Sequence, residues 1–377
     1  MFLALITIFS LIKLSPDVSE YFFARGISRY CVYFAGNLFN IFPFSFFGFF
    51  VIVSVIVILS SFILTIVLLA KKKRKNALNV FTNLALFVVI FAFIYVTTAS
   101  GCYNRRSLPL PLYEGEVLSA EETAEYVSFF LDDFSEISNS LVYNENGSSV
   151  CPYTTTELAD LLIKDYERLN SEEFGGYYSS FTPRFKKAFF SKILSYEHIS
   201  GITFMPTGEA VVNAECPPCY FVVSAAHELA HTKGVMRERD ANETAYYLLL
   251  TSDVPYFRYC GYMYCISYLT QVLRQADSAL YTETMKKYPL KAIKDYSTEQ
   301  AFWSSKKSIL NTVSDFFNDL YLKMSGVKGG TENYSDPTEI RKETTYEGDK
   351  PKIVIKINYS DTAKMLLQVA MDRRSAN

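Results

Sequence analysis

His227-Glu228-Leu229-Ala230-His231 is a pentapeptide whose residue types and spacing suit metal chemistry. On an α-helix residues four apart share a face, so both imidazoles can reach one cation. A carboxylate one position along can then work on a water held there. The chain has only three histidines, and two of them are in this motif. The chemistry implied is hydrolysis by zinc-activated water. The competing reading is a plain core helix, since Ala225, Ala226, Leu229 and Ala230 would suit burial equally well.

Zinc hydrolases use three protein ligands and leave one position for water, so a third ligand is required. The helix carrying the two histidines should stop near Thr232-Lys233-Gly234, because glycine is favoured just past a helix end. A second helix is expected from around Arg237 through Ala245 to Leu250. It offers Glu238, Asp240 and Glu243. Glu238 and Asn242 stand four apart on one face, so the carboxylate can bind metal while Asn242 braces a ligand histidine through its other ring nitrogen. Asp240 points about 160° from Glu238 on a helical wheel, so only one of the two faces the metal. This favours Glu238. Glu228 is the expected proton carrier. His198, far upstream, is more naturally a structural or cleft residue than a ligand. Tyr259 or His198 could stabilise an oxyanion, but among 28 tyrosines nothing singles one out.

These residues need a scaffold, and the first hundred residues suggest a membrane. There are 31 Phe beside one Trp, with much of the Phe in that region. Residues 1–14 are a possible short span, too short for an ordinary crossing, and they lack the basic start and cleavage site of a signal peptide. Residues 15–34 read as an extramembrane or interfacial connection. Spans are expected at about 47–70 and 78–98, joined by the basic loop 71–75. The positive-inside rule puts that loop in the cytoplasm and residues 101–377 on the extracytoplasmic side. With 37 Lys+Arg against 39 Asp+Glu there is no nucleic-acid footprint.

Within 101–377, helical periodicity covers Ala120 to Leu141, and Thr154 with Glu157 can cap a helix running to about Leu169. Gly201–Phe204 and Glu209–Val212 read as short strands around a Pro206-Thr-Gly208 turn. They are placed to form a small sheet beside the metal helix, whose edge can pair with a peptide substrate. Helical patterns also cover Tyr262 to Leu280 and Thr298 to Leu322. Residues 326–351 read as loose, 352–357 as a strand and 361–373 as a closing helix. Six of the seven cysteines follow residue 100, which would suit disulfides outside the cell. Cys216-Pro-Pro-Cys219 has no redox-fold context, and a structural role is favoured over a redox or zinc-knuckle one.

The chain resembles a bacterial family of membrane proteins known only as domain-of-unknown-function family 3810. The blocks that carry the match include Ser15-Pro-Asp-Val-Ser-Glu-Tyr-Phe22, Phe42-Pro-Phe-Ser45, Asn104-Arg-Arg106, Ser200-Gly-Ile-Thr-Phe204, Glu209-Ala-Val-Val-Asn213 and the run His227 to Asn242. Phe257-Arg-Tyr-Cys-Gly-Tyr262 and Asn318-Asp-Leu-Tyr-Leu-Lys323 continue it. The family looks like a zincin of the gluzincin type. In that type, as in Ste24/HtpX-like and ImmA/IrrE-like peptidases, the third ligand is the first Glu of an E-x-x-A-[DN] helix. Here the pattern is Glu238-Arg-Asp-Ala-Asn242, with a tighter link from His231 than most gluzincins have.

The expected fold is thus mainly α with a small β-sheet, an α+β zincin-like domain preceded by a transmembrane helical hairpin. The expected function is a multi-pass cell-membrane zinc metallopeptidase with one Zn²⁺, a peptide or protein substrate and the lipid bilayer as partner. A non-catalytic envelope binding protein and a zinc amidase acting on a cell-wall bond are the alternatives.

Overall fold

An apolar side chain exposed to water costs free energy, and α3 (Phe46–Ala70) consists almost wholly of such side chains. Ser45 caps it, its hydroxyl accepting from the Phe47 amide at 3.1 Å. The chain turns at Lys71–Lys73 and returns as α4 (Arg74–Thr98). Both helices are long and apolar enough to cross a membrane, and none of the most apolar stretch of α3 is buried within the protein. α4 begins a turn earlier than the apolar pattern suggests because Arg74 and Lys75 are good helix formers. This computed structural model describes residues 15–171, 174–308, 338–347 and 350–376. The possible span at 1–14 lies outside the described residues.

Residues 15–34, expected to be an extramembrane or interfacial connection, are helical and partly buried. They form α1 (Val18–Ser28), a wide-turned helix kinked at Gly26, which runs into α2 (Arg29–Asn40). Burial of charge decides this. Glu20 is fully buried and accepts from Arg105 at 2.8 and 2.9 Å and from Arg25 at 2.6 Å. Phe23 and Ala24 pack against Val96, Ala99, Cys102 and Met236. α1 is therefore wedged between the top of α4 and the rest of the protein.

The main core is helical. α5 (Ala120–Ser140) and α6 (Thr155–Arg168) each start with a capping box, from Ser119/Glu122 and Thr154/Glu157. Phe130, Phe134 and Ile137 of α5, with Leu158, Leu162 and Tyr166 of α6, are buried, while Tyr126, Phe129 and Leu161 only flank the core. α8 (Pro218–Thr232), α9 (Glu238–Leu250) and α10 (Pro255–Cys265) pack at the centre. α11 (Ser267–Ala276), α12 (Ser278–Thr284) and α13 (Leu290–Ser305) follow, and α14 (Asp361–Ala376) closes the bundle. The helical pattern expected from 309 to 322 lies outside the described residues.

A three-stranded sheet of order β1-β3-β2 joins Lys186–Lys187 (β1), Glu209–Val212 (β3) and Gly201–Phe204 (β2). β2 and β3 are antiparallel, from Gly201↔Val212 to Phe204↔Glu209. The period of two divides its faces. Ala210 and Val212 join the main core with Leu229 of α8. Val211 and Ile202 lie with Phe47 of α3 and with Leu194 of α7 (Ser191–Tyr196). Phe204 stacks on Phe47, Phe50 and Phe91 of the apolar hairpin, with ring centroids 5.3, 5.0 and 6.4 Å away. Buried Glu209 fastens the joint. It accepts the Phe46 amide at 3.0 Å, Thr207 Oγ1 at 2.7 Å and Lys186 Nζ at 2.7 Å, a carboxylate suited to the start of α3.

Residues 339–347 and 350–351 are not loose. They belong to a hairpin of β4 (Glu339–Glu347) and β5 (Lys350–Asn358), in register from Glu339↔Asn358 to Glu347↔Lys350. Backbone pairing outweighs their polar composition. Residues 326–337 of that expected segment lie outside the described ones. All seven cysteines are free thiols, five of them buried, so the expectation of disulfides is not met. Cys219 packs beside Ser149 and Tyr256 rather than pairing with Cys216. Burial pushes the Cys216 thiol up to about 12, which keeps it protonated and unreactive.

Candidate metal centre

The end of α8 builds half of the centre. Val235 N–H bonds to Ala230 O at 3.3 Å and Gly234 N–H to His231 O at 2.9 Å, closing a Schellman turn. Gly234 takes φ +79°, which the absence of a Cβ permits. The turn also points the Val235 carbonyl at His231, whose Nδ1–H donates to it at 2.7 Å. Arg105 locks the turn from outside, donating to Lys233 O at 3.1 Å while paired with Glu20.

α9 starts at once with Glu238 in its first turn, where the helix dipole favours a carboxylate. One turn on, Asn242 Oδ1 accepts from His227 Nδ1 at 2.8 Å. Both histidines thus have Nδ1 occupied and present Nε2 inward. Glu238 Oε2 lies 3.0 Å from His227 Nε2 and 3.6 Å from His231 Nε2. The tight link from His231 to Glu238 is therefore compatible with convergence.

With Nδ1 protonated, a neutral imidazole turns a lone pair toward Glu238. Two lone pairs and a carboxylate facing one point can hold a cation between them. In its absence a proton serves: burial works against a charged His231, but the Glu238 carboxylate prevails and raises it to about 9. Burial alone would raise Glu238, yet His231 and His227 hold it far below the usual carboxylate range. Donors at roughly 2.0–2.2 Å from a tetrahedral zinc stand about 3.4 Å apart, and the observed 3.0 and 3.6 Å bracket that value. The donor set fits zinc.

Glu228 stands one step back. The donor atoms of His227, Glu228 and His231 lie within 4.8 Å of one another, but Glu228 points to the sheet and Glu238 is the closer third donor. Thr203 Oγ1 lies 2.8 Å from both Glu228 Oε2 and Glu228 O. A Cβ on Gly201 would come within 2.5 Å of Glu228 Cγ and 2.6 Å of Oε1, so only glycine leaves room for this carboxyl. Burial raises its pKa, partly offset by the two histidines and Thr203. Thr203, Gly201 and Val235 carry no signal in the sequence beyond a β-strand pattern and a turn.

The other candidates are not brought to this cluster. Buried Asp240 pairs with Arg237 at 2.6 Å on the opposite side of α9, as the wheel requires. Tyr259 is buried against Phe134 and Tyr256 and donates to Asp295 at 2.8 Å. That commitment leaves its hydroxyl unavailable as an oxyanion donor. His198, at φ +56°, packs on Trp303 with ring centroids 5.4 Å apart. Glu243 bonds Thr362 at 3.2 Å, and burial pushes it up to about 8.

The family model described as protein of unknown function (DUF3810) matches residues 23–340. The chain belongs to this family. No curated protein and no solved structure matches it. The matched span contains every residue of the centre and both membrane-length helices, so the DUF3810 unit joins the two.

Proposed function

We propose that this DUF3810 protein is a membrane-anchored zinc metallopeptidase of zincin-like architecture. The observation that supports it most is the convergence of His227 Nε2, His231 Nε2 and Glu238 Oε2, with both Nδ1 atoms tied back. These three residues would hold the ion. Zinc, when bound there, supplies a Lewis acid that acidifies a water and polarises a carbonyl.

The chain's own groups then handle the protons. Thr203 holds Oε2 of Glu228 and leaves Oε1 to take a proton from the attacking water. As the C–N bond breaks, Glu228 returns that proton to the leaving amine. Burial raises its pKa, so the carboxyl takes up a proton more readily than one in water. α3 and α4 would anchor the domain in the membrane. Their ends near the centre are Phe46 and Thr98, and the Lys71–Lys75 turn is at the far end. By the positive-inside rule the site faces away from the cytoplasm.

Metal analysis of the purified protein should find one zinc, lost in His227→Ala. Glu228→Gln should keep the zinc and lower peptide hydrolysis by about 10²–10⁴-fold. No bound zinc would refute the reading. Zinc without any Glu228-dependent cleavage would favour a non-catalytic binding protein.

A further inference from the structure

We propose that the peptide this site takes is anchored in the same bilayer and is cut within a few residues of its anchor; this rests on the hydrolase reading above. The sheet beside the centre is a single layer with the site on one face and the apolar hairpin on the other. Gly201 and Thr203 touch Glu228, while Ile202 and Phe204, alternating with them, lie on Phe47, Phe50 and Phe91. One β-sheet thickness therefore separates the site from the hairpin. Glu209 and Lys186 clamp the same sheet to the first amide of α3, so the spacing is fixed.

A second surface places the lipid level beside the sheet. α2 leads through five residues into α3, and its exposed residues Tyr30, Tyr33, Phe34 and Leu38, with Ile41 just past its end, repeat at helical spacing. Such an apolar stripe on a helix adjoining a membrane span suits the interface plane. At the other side of the start of α3, Phe189 is 76 % exposed and packs by Gly48. The centre thus lies on the order of one sheet thickness above the lipid.

β2 is the outermost strand, and among the described residues no other strand pairs with its free edge. An extended peptide laid there turns alternate residues to the two faces, so a residue facing the centre has neighbours that face the hairpin. A folded soluble protein cannot bring a chain so close to the lipid without colliding with it. A chain already anchored there arrives at an effective concentration in the millimolar range.

The test uses the full-length protein in lipid nanodiscs with zinc and a degenerate peptide library in three arms: free, palmitoyl-anchored and fused to one transmembrane helix. Each anchored arm has a spacer of either four or 25 residues between anchor and library, and Glu228→Gln serves as the blank. New termini are read by mass spectrometry. Anchored peptides with the short spacer should be cleaved about 10²-fold or more faster than free ones, and the faster anchored arm identifies the kind of anchor. Equal rates for free and anchored peptides, or for the two spacers, would overturn the inference and leave the hydrolase reading standing. No Glu228-dependent cleavage in any arm overturns both.

Discussion

Zinc affinity should rise about tenfold for each pH unit between pH 7 and 9. In the metal-free protein His231 Nδ1 keeps its proton, donated to Val235 O, so the proton that a metal displaces is the one between Nε2 and Glu238. Burial disfavours that charge, but the Glu238 carboxylate outweighs it and raises the group to about 9. A raised pKa means that the proton is bound below about pH 9 and absent above it. At pH 7 the metal must therefore displace a proton held two pH units below its pKa. That costs about 2.7 kcal/mol, or a hundredfold in affinity, and the cost vanishes as pH reaches 9. Glu238→Gln removes both a ligand and the cause of the raised pKa, so it should weaken binding and flatten the slope above pH 7. Competition with a chelator of known affinity, on full-length protein in detergent from pH 6.5 to 9.5, measures both quantities. A dissociation constant flat from pH 7 to 9, or one slope for wild type and Glu238→Gln, would refute the reasoning.

Gly201→Ala should leave zinc bound but displace the Glu228 carboxyl, since the new Cβ falls 2.5 Å from Glu228 Cγ. A shift near 1 Å costs about 10² in hydrolysis, read by parallel metal analysis and turnover of any peptide cut by the wild type. Arg105→Ala leaves buried Glu20 with Arg25 alone and frees the turn at Lys233. The expected loss is about 3–5 kcal/mol, seen as a Tm lower by roughly 10 °C in scanning fluorimetry. An unchanged Tm would show that this pair does not hold the turn.

Local patterns made much of this protein legible. His227 and His231 lie four apart, Gly234 stops the helix, and Glu238 with Asn242 repeats at the next helical turn. Each of these relations spans at most a few residues, where backbone geometry alone sets side-chain direction. The two long apolar helices and the capping boxes of α5 and α6 are legible for the same reason. The stretch at 15–34 reads in the sequence only as a connection, because its packing depends on a partner 85 residues away: Glu20 is buried only once Arg105 is there to meet it. The β4–β5 hairpin, polar in composition, likewise depends on pairing between strands.

Taken alone, the sequence determined which residues could form a metal centre, because a helix converts spacing into direction with no help from the rest of the chain. Only the tertiary structure decided what surrounds that centre. It set Thr203 and Gly201 against Glu228, turned Tyr259 toward Asp295, and laid one thin sheet between the site and the apolar hairpin. Those contacts join segments far apart in the chain, and side-chain packing, not periodicity, selects them.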